Sequence, residues 1–155
     1  MMVLSMVPAT AFAAKDAGTP PTYNSATGCY EISTPAQLLY LAGKWKDGAP
    51  RDGHYVLTAD IDMTGVKGFK PIASKKAEGF TGTFDGQFHS IKGLRIEYEK
   101  KYAGLFGYVG NQDDQAYIKN VALLDCYVTG QQNVGALAGV NYGTITDCVV
   151  TGEVK

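Results

Sequence analysis

Ile91-Lys-Gly-Leu-Arg-Ile96, Ile118-Lys-Asn-Val-Ala-Leu123 and Ile145-Thr-Asp-Cys-Val-Val150 share the pattern Ile-x-(Gly/Asn/Asp)-apolar-x-apolar, and their starts are 27 residues apart. A single such strand cannot bury its apolar face, whereas coils stacked about 4.8 Å apart can. The spacing therefore predicts a solenoid, with Leu94, Val121 and Cys148 in one inward column and Ile96, Leu123 and Val150 in another. A second repeated element lies between these rungs. Ala103-Gly-Leu-Phe-Gly-Tyr108 matches Gly135-Ala-Leu-Ala-Gly-Val140, with Leu105 and Leu137 equivalent and 32 apart. The two periods differ by five, which predicts a five-residue insertion before the second copy and a compensating loss before Ile145. Solenoids tolerate this, because an added loop residue disturbs a single turn. A competing register, Asp125-Cys-Tyr-Val-Thr-Gly130 on Asp147-Cys-Val-Val-Thr-Gly152, has an offset of 22 and would stack Cys126 on Cys148. The 27-residue register is preferred because it keeps the Ile-initiated strands together.

The rest of the chain is consistent with that architecture. Its 155 residues suit one domain, and 45% hydrophobic residues suffice for a core. Lys and Arg total 14 against 15 Asp and Glu, a net charge of -1 that argues against a nucleic-acid partner. Nineteen glycines favour tight turns over long helices. Residues 1–13 are uncharged and apolar, too short for a membrane span, and Ala11 and Ala13 provide the small residues of an export cleavage site. They read as a signal peptide cleaved after Ala13, although no Lys or Arg precedes the apolar run; a truncated or late-called N-terminus is inferred. No later stretch approaches membrane-span length. The expected location is extracellular or at the cell surface.

Residues 14–28 read as a disordered leader, and 29–155 as the β-helix domain. Cys29-Tyr-Glu-Ile32 is a predicted strand. Ser33-Thr34-Pro35 starts a predicted helix over residues 35–46, with Leu38, Leu41, Ala42 and Trp45 on its apolar stripe. Tyr55, Leu57, Ala59, Ile61 and Met63 alternate as one further strand. Everything beyond is short strands broken by glycine, so the fold class is all-β: a right-handed parallel β-helix with a short N-terminal capping α-helix, the cap spanning 29–63. The chain stops within or just after a rung with no polar capping element, which predicts a longer natural protein that continues the repeat and self-association through the open edge. Three cysteines, Cys29, Cys126 and Cys148, match no metal spacing and are expected to be buried apolar thiols.

Ala103-Gly104-Leu105-Phe106-Gly107, Ile118-Lys119-Asn120-Val121 and Ala136-Leu137-Ala138-Gly139 together resemble the GLUG-motif repeats of exported bacterial proteins. Leu57-Thr-Ala-Asp-Ile-Asp-Met63 and Phe80-Thr-Gly-Thr-Phe-Asp-Gly-Gln-Phe-His-Ser-Ile91 resemble the lead-in that accompanies them. Coverage is about residues 29–155, and Ala136 departs from the motif's first glycine. The resemblance implies a right-handed parallel β-helix on cell-surface, adhesin-like or peptidase-associated proteins, with no conserved catalytic set. On it, Gly104, Leu105, Gly107, Leu137, Gly139, Ile91, Ile118 and Ile145 are structural motif residues.

Three carboxylates are the candidate chemistry. Asp60 and Asp62 would project from one face of a strand about 6.6 Å apart, within the range of about 6.5 to 9.5 Å used by inverting glycosidases. Asp85 offers a third group, but any acidic i, i+2 pair has this spacing. Both aspartates are expected on a solvated outer face, and Asp85-Gly86 as a tight turn flanked by His89. Calcium would need more oxygens than these, so no metal is assigned, nor any cofactor or catalytic residue. Nucleophile-elbow, Walker-type and His-Glu-x-x-His motifs are absent from the sequence. Tyr98, Tyr102, Tyr108, Tyr117, Tyr127 and Tyr142 include rings that can stack on sugars, though most are expected in the core or in ladders. The reading is a non-catalytic module for adhesion, display or carbohydrate or protein recognition. A polysaccharide lyase or hydrolase is the alternative, requiring a groove that joins Asp60, Asp62, Asp85 and a basic residue. A passive spacer beside a peptidase domain is a third.

Overall fold

The computed structural model describes residues 18–42 and 49–155. The predicted signal peptide and Trp45 lie outside the described residues. In chain order the strands are β1 (Thr22–Asn24), β2 (Cys29–Ile32), β3 (His54–Leu57), β4 (Ile61–Asp62), β5 (Thr83–Asp85), β6 (Ser90–Lys92) and β7 (Arg95–Ala103). They continue with β8 (Phe106–Val109), β9 (Tyr117–Lys119), β10 (Ala122–Val134), β11 (Ala138–Asn141), β12 (Thr144–Thr146) and β13 (Val149–Val154). One helix, α1 (Pro35–Leu41), follows β2.

The strands form three faces. The first is β1-β2-β3-β5-β9-β12, the second β13-β10-β6-β4 with β7 also on β10, and the third β11-β8. The bridges Ile72–Phe106 and Phe80–Val109 extend the third face by one coil. Apart from the antiparallel β1–β2 hairpin, these strand pairings are parallel. From β3 onward the chain visits the three faces in turn three times before β12 and β13, so the architecture is a β-solenoid. Each coil buries its inward residues on those of the next, and their contacts supply the core that one coil lacks.

The register confirms part of the predicted stacking. Ile145 lies on Ile118 and Val150 on Leu123, both at the 27-residue spacing. Leu105 and Leu137 sit in equivalent turns ahead of Phe106 and Ala138, which pair at 32. Ile91 does not join the Ile118–Ile145 column. It pairs with Ile61 and Leu123 on the second face, whereas Ile118 pairs with Phe84 on the first. Likewise Ile96 pairs with Val128 and not with Leu123. The 22-residue register does not occur, because Cys126 faces Gly152.

The difference between 27 and 32 has a simple cause. Eight residues separate Val109 from Tyr117, but three separate their partners Asn141 and Thr144. The five extra residues form a loop between β8 and β9, not an insertion before the second motif copy. One coil earlier a second insertion of the same length interrupts the third face itself: eight residues separate Ile72 from Phe80, three separate Phe106 from Val109. A short 3-10 turn, Lys76–Glu78, lies in that earlier insertion.

The corners need left-handed backbone, which Asn and Asp tolerate better than other residues with a Cβ. Asn120 (φ 55°) and Asp147 (φ 53°) occupy one corner, 27 residues apart, and Asp125 (φ 52°) another. This accounts for the Gly/Asn/Asp position of the repeat. The stretch from Tyr55 to Met63, predicted as one strand, bends between β3 and β4 onto a second face. Its inward parity survives, with Tyr55, Leu57, Ile61 and Met63 all buried.

The predicted cap, residues 29–63, divides between α1 and the first coil, since β2, β3 and β5 already pair in parallel. Helix α1 ends at Leu41, short of the predicted 46, because Ala42 turns extended (φ -67°, ψ 128°). Thr34 is its N-cap, accepting from Gln37 N, and the Gln37 Oε1 accepts from Ser33 N at 2.8 Å. Leu38 and Leu41 point into the core cluster beside Ile32. Gln37 Nε2 also donates to Thr22 Oγ1 at 3.2 Å, tying the helix to the hairpin. The leader expected to be disordered over 14–28 thus contains β1, held by three residue pairs with β2.

Candidate functional site

The three predicted carboxylates are not assembled into one groove. Asp85 lies on β5 of the first face and Asp62 on β4 of the second, while Asp60 sits at the corner before β4. Each is held by its own set of partners, local for Asp62 and reaching the neighbouring coil for Asp60 and Asp85. Asp60 accepts from Ser90 N at 2.8 Å with His89 Nδ1 at 3.4 Å, and the Ser90 amide chiefly holds its carboxyl below the usual range. At Asp62 the Thr64 hydroxyl, then the Thr64 amide donating at 2.9 Å, hold the carboxyl below the usual range. At Asp85 burial acts to raise the pKa. Asn120 Nδ2 (2.9 Å), Gln87 N (2.9 Å) and Lys119 Nζ (3.3 Å) outweigh it and hold the group low. A general acid needs a raised pKa, so none of the three is tuned for that role. Among the described residues no group of three His, Cys, Asp or Glu side chains is arranged to hold a metal ion.

The motif residues serve the coil stack. Leu105 is fully buried and Leu137 nearly so. A Cβ on Gly107 would lie 2.8 Å from Ser74 Cα and 2.9 Å from the carbonyl oxygens of Ala73 and Tyr102. One on Gly139 would meet Asn133 O at 2.6 Å and Gly107 O at 2.9 Å. The obstacles are backbone atoms of the preceding coil and of the glycine's own coil, so glycine is what lets the third face stack closely. Gly104 is similarly crowded, 2.7 Å from Gly135 O. Ile91 and Ile118 are fully buried, and Ile145 is half-buried.

All three thiols are free. Cys126 is buried as expected, but Cys29 and Cys148 are half-buried, Cys29 in the hairpin and Cys148 in the last coil.

The tyrosines divide in an informative way. Tyr127 lies under Arg95, whose guanidinium carbon is 4.2 Å from the ring centroid, and Arg95 also pairs with Glu97 at 2.7 Å. That engaged Arg95 borders a surface cavity of about 270 Å³ with Lys67, Gly68, Phe69 and Glu97. Tyr102, Tyr108 and Tyr142 form a row at the third face. Tyr102 meets Tyr108 edge-on at 5.4 Å, and Tyr108 stacks on Tyr142 at 5.7 Å with 27° between planes. Tyr108 is buried and Tyr142 is 51% exposed. Burial, then contact with the Tyr142 hydroxyl, pushes the Tyr108 hydroxyl up. Beside the stack lies a cavity of about 180 Å³ lined by Lys76, Tyr108, Asn111, Gln112, Asp113 and Tyr142. Tyr108 and Tyr142 were singled out by residue type. Lys76, Asn111, Gln112 and Asp113 were missed; the five-residue period mismatch was the available signal for the second loop, but the motif spacing predicted that insertion before the second motif copy, on the far side of Ile118.

Comparison with known proteins agrees with this architecture. The profile of the GLUG motif matches residues 130–155. Halomucin of Haloquadratum walsbyi is 35% identical over 135 residues, covering 81% of this chain and 1% of that protein. A candidate Gly-rich membrane protein of Evansella cellulosilytica is 35% identical over 130 residues, covering 78% of this chain and 14% of that one. The chain therefore spans a small fraction of these relatives. In three dimensions it resembles a candidate immunoglobulin A1 protease from Bacteroides ovatus, with a TM-score of 0.63 at 20% identity, over 84% of this chain and 39% of that one. At that identity the likeness shows a shared fold.

Proposed function

The chain belongs to the GLUG-motif repeat proteins, and from that membership we propose that it is a non-catalytic, exported module of the cell surface that recognises or displays ligands. The observation that carries the reading is the division of its polar chemistry. The carboxylates a lyase or hydrolase would need are each committed to structural hydrogen bonds within or between coils, whereas the Tyr108–Tyr142 corner presents aromatic and polar groups to solvent. Solenoid coils hold such groups rigidly while varying the loops around them. In this reading the coil is right-handed, as crossovers between parallel strands nearly always are. Helix α1 closes its first turn by covering the interior with Leu38 and Leu41.

The module also fits into a longer stack. Val150 and Val154 lie in register over the buried Leu123 and Val128, yet are 43% and 45% exposed. A further coil of the same kind, or a second copy of the chain, would cover them. The test is location and binding together. Expressed with its own leader in an exporting bacterium, the protein should become sensitive to protease added to intact cells, and N-terminal sequencing of the processed form should begin at Ala14. The purified chain should bind whole cells or a glycan and protein ligand array without turning over polysaccharide. Retention in the cytoplasm, or polysaccharide cleavage abolished by Asp85→Asn, would overturn the proposal. A second reading, a non-catalytic segment beside a peptidase, draws on the fold shared with the candidate protease from B. ovatus. It predicts a peptidase domain in the same open reading frame.

A further inference from the structure

We infer that the corner cavity beside Tyr142 is a binding site for a neutral sugar residue, assembled by the two loop insertions; this deepens the recognition reading above. The two places where a coil carries five residues more than its successor are the 72–80 and 109–117 segments. The first interrupts the third face between the partners of Phe106 and Val109, the second leaves that face just after Val109, and both reach the same cavity. The first contributes Lys76 and the second Asn111, Gln112 and Asp113, while Tyr108 and Tyr142 come from successive coils. Gly79 lets the first insertion return against this site, since a Cβ there would lie 3.2 Å from Tyr108 Cδ1 and 2.9 Å from Gly110 O.

The lining specifies the ligand's chemistry. Tyr108 occupies one neighbour of Tyr142, but Tyr142 remains half exposed, a flat apolar surface with a hydroxyl edge. Asn111 is committed to its own loop: Oδ1 accepts from Asp113 N at 2.8 Å and Asp114 N at 2.7 Å, and Nδ2 donates to Asp114 Oδ2 at 3.1 Å. That bracing fixes the loop backbone. Among the described residues the side chains of Gln112, Asp113 and Lys76 have no hydrogen bond or ion pair. They supply an amide, a carboxylate and an ammonium, which bond hydroxyls as donors and acceptors together. One positive and one negative group balance, so the site selects against a strongly charged ligand. A volume of about 180 Å³ is below the roughly 300 Å³ at which drug-sized pockets begin. A ligand with one apolar C–H face, a rim of hydroxyls, no charge and the size of one ring is a pyranose.

The test is a backbone-amide NMR titration of the purified chain with glucose, galactose, mannose and N-acetylglucosamine, and with glucuronate as the charged comparison. At least one neutral sugar should shift the amides of residues 108, 111–113 and 142 in a saturable way. Tyr142→Ala should weaken that binding at least about threefold by removing the stacking face, and Gln112→Ala, on an exposed loop, should weaken it by a similar factor. Phe88→Ala, which alters an exposed ring outside both insertions, should leave it unchanged. No saturable shift at those amides with any neutral sugar, undiminished binding by both variants, or a response to glucuronate alone would each overturn the inference. Glycan-array binding that survives in Tyr142→Ala would overturn this site while leaving the recognition reading intact. Cytoplasmic retention would overturn surface function and leave the titration unaffected.

Discussion

Gly107→Ala tests what the motif glycine does. The new methyl carbon would sit 2.8 Å from Ser74 Cα and 2.9 Å from two carbonyl oxygens, where ordinary contacts begin at 3.4 Å. No flexible side chain can yield, because all three obstacles are backbone. Relief requires the third face to part locally, against the Gly107 N to Ile72 O hydrogen bond of 2.7 Å that joins two coils. Overpacking of this kind costs about 1–3 kcal/mol, and a weakened hydrogen bond adds roughly 0.5–1.5 kcal/mol. The lower entropy of the unfolded Ala chain offsets about 0.4–1 kcal/mol. The net loss is about 2 kcal/mol, equivalent to roughly 4–8 °C in Tm for a protein of this size. Urea unfolding followed by circular dichroism measures it. Gly28→Ala is the comparison: its Cβ meets nothing within 4 Å, so its penalty comes from a φ of +71° alone, about 1 kcal/mol. A Gly107→Ala loss below about 0.5 kcal/mol would show that close coil approach is not why glycine stands there.

Ile118→Ala should cost about 2–5 kcal/mol, since the side chain is fully buried between Phe84 and Ile145. Ile145→Ala, in the same column but half-buried, should cost less than half of that in the same urea assay. A double-mutant cycle should couple Ile91→Ala to Leu123→Ala by roughly 0.5–3 kcal/mol, and Ile91→Ala to Ile118→Ala more weakly. Acid unfolding should expose the lowered carboxyls. Asp85 binds its proton more weakly folded than unfolded, so its stabilising contribution is present above the ordinary value of 3.8 and lost as pH falls through the lower folded value. Asp85→Asn should flatten stability against pH in that window. Sedimentation should show concentration-dependent association of the native chain that Val150→Lys reduces, because Val150 is an inward residue left 43% exposed.

The solenoid was legible because column residues repeat. Ile118–Ile145 and Leu123–Val150 are separated by one coil with no intervening insertion, so sequence spacing and structural register coincide there. Ile91 was misassigned for a physical reason. A left-handed Gly, Asn or Asp followed by alternating apolar residues marks a corner, and the chain has more than one kind of corner. Asn120 and Asp147 turn between the first and second faces, while Gly93 (φ 68°), which follows Ile91 at the same interval, lies within the second. The side-chain pattern identifies a bend into a strand but not which face it enters. Hydrogen bonding between coils decides that, and it aligned Ile91 with Leu123.

The site was legible only in its aromatic half. Tyr108 and Tyr142 stand 34 residues apart in sequence, against 32 for the pairing of Val140 with Tyr108, so the two rings are offset by two positions along neighbouring strands. Side chains two apart along a strand share a face, which is why the rings can meet across the coils. The polar half depended on lengths and not on residue types. Lys76 and Gln112 belong to loops whose sequences carry no motif, and their common destination follows from inserting five residues just before Phe80 in one coil and just after its partner Val109 in the next. A period mismatch in a solenoid is thus positional information: the excess residues must leave the coil at the point where the register changes, and two changes at one edge place two loops over the same surface.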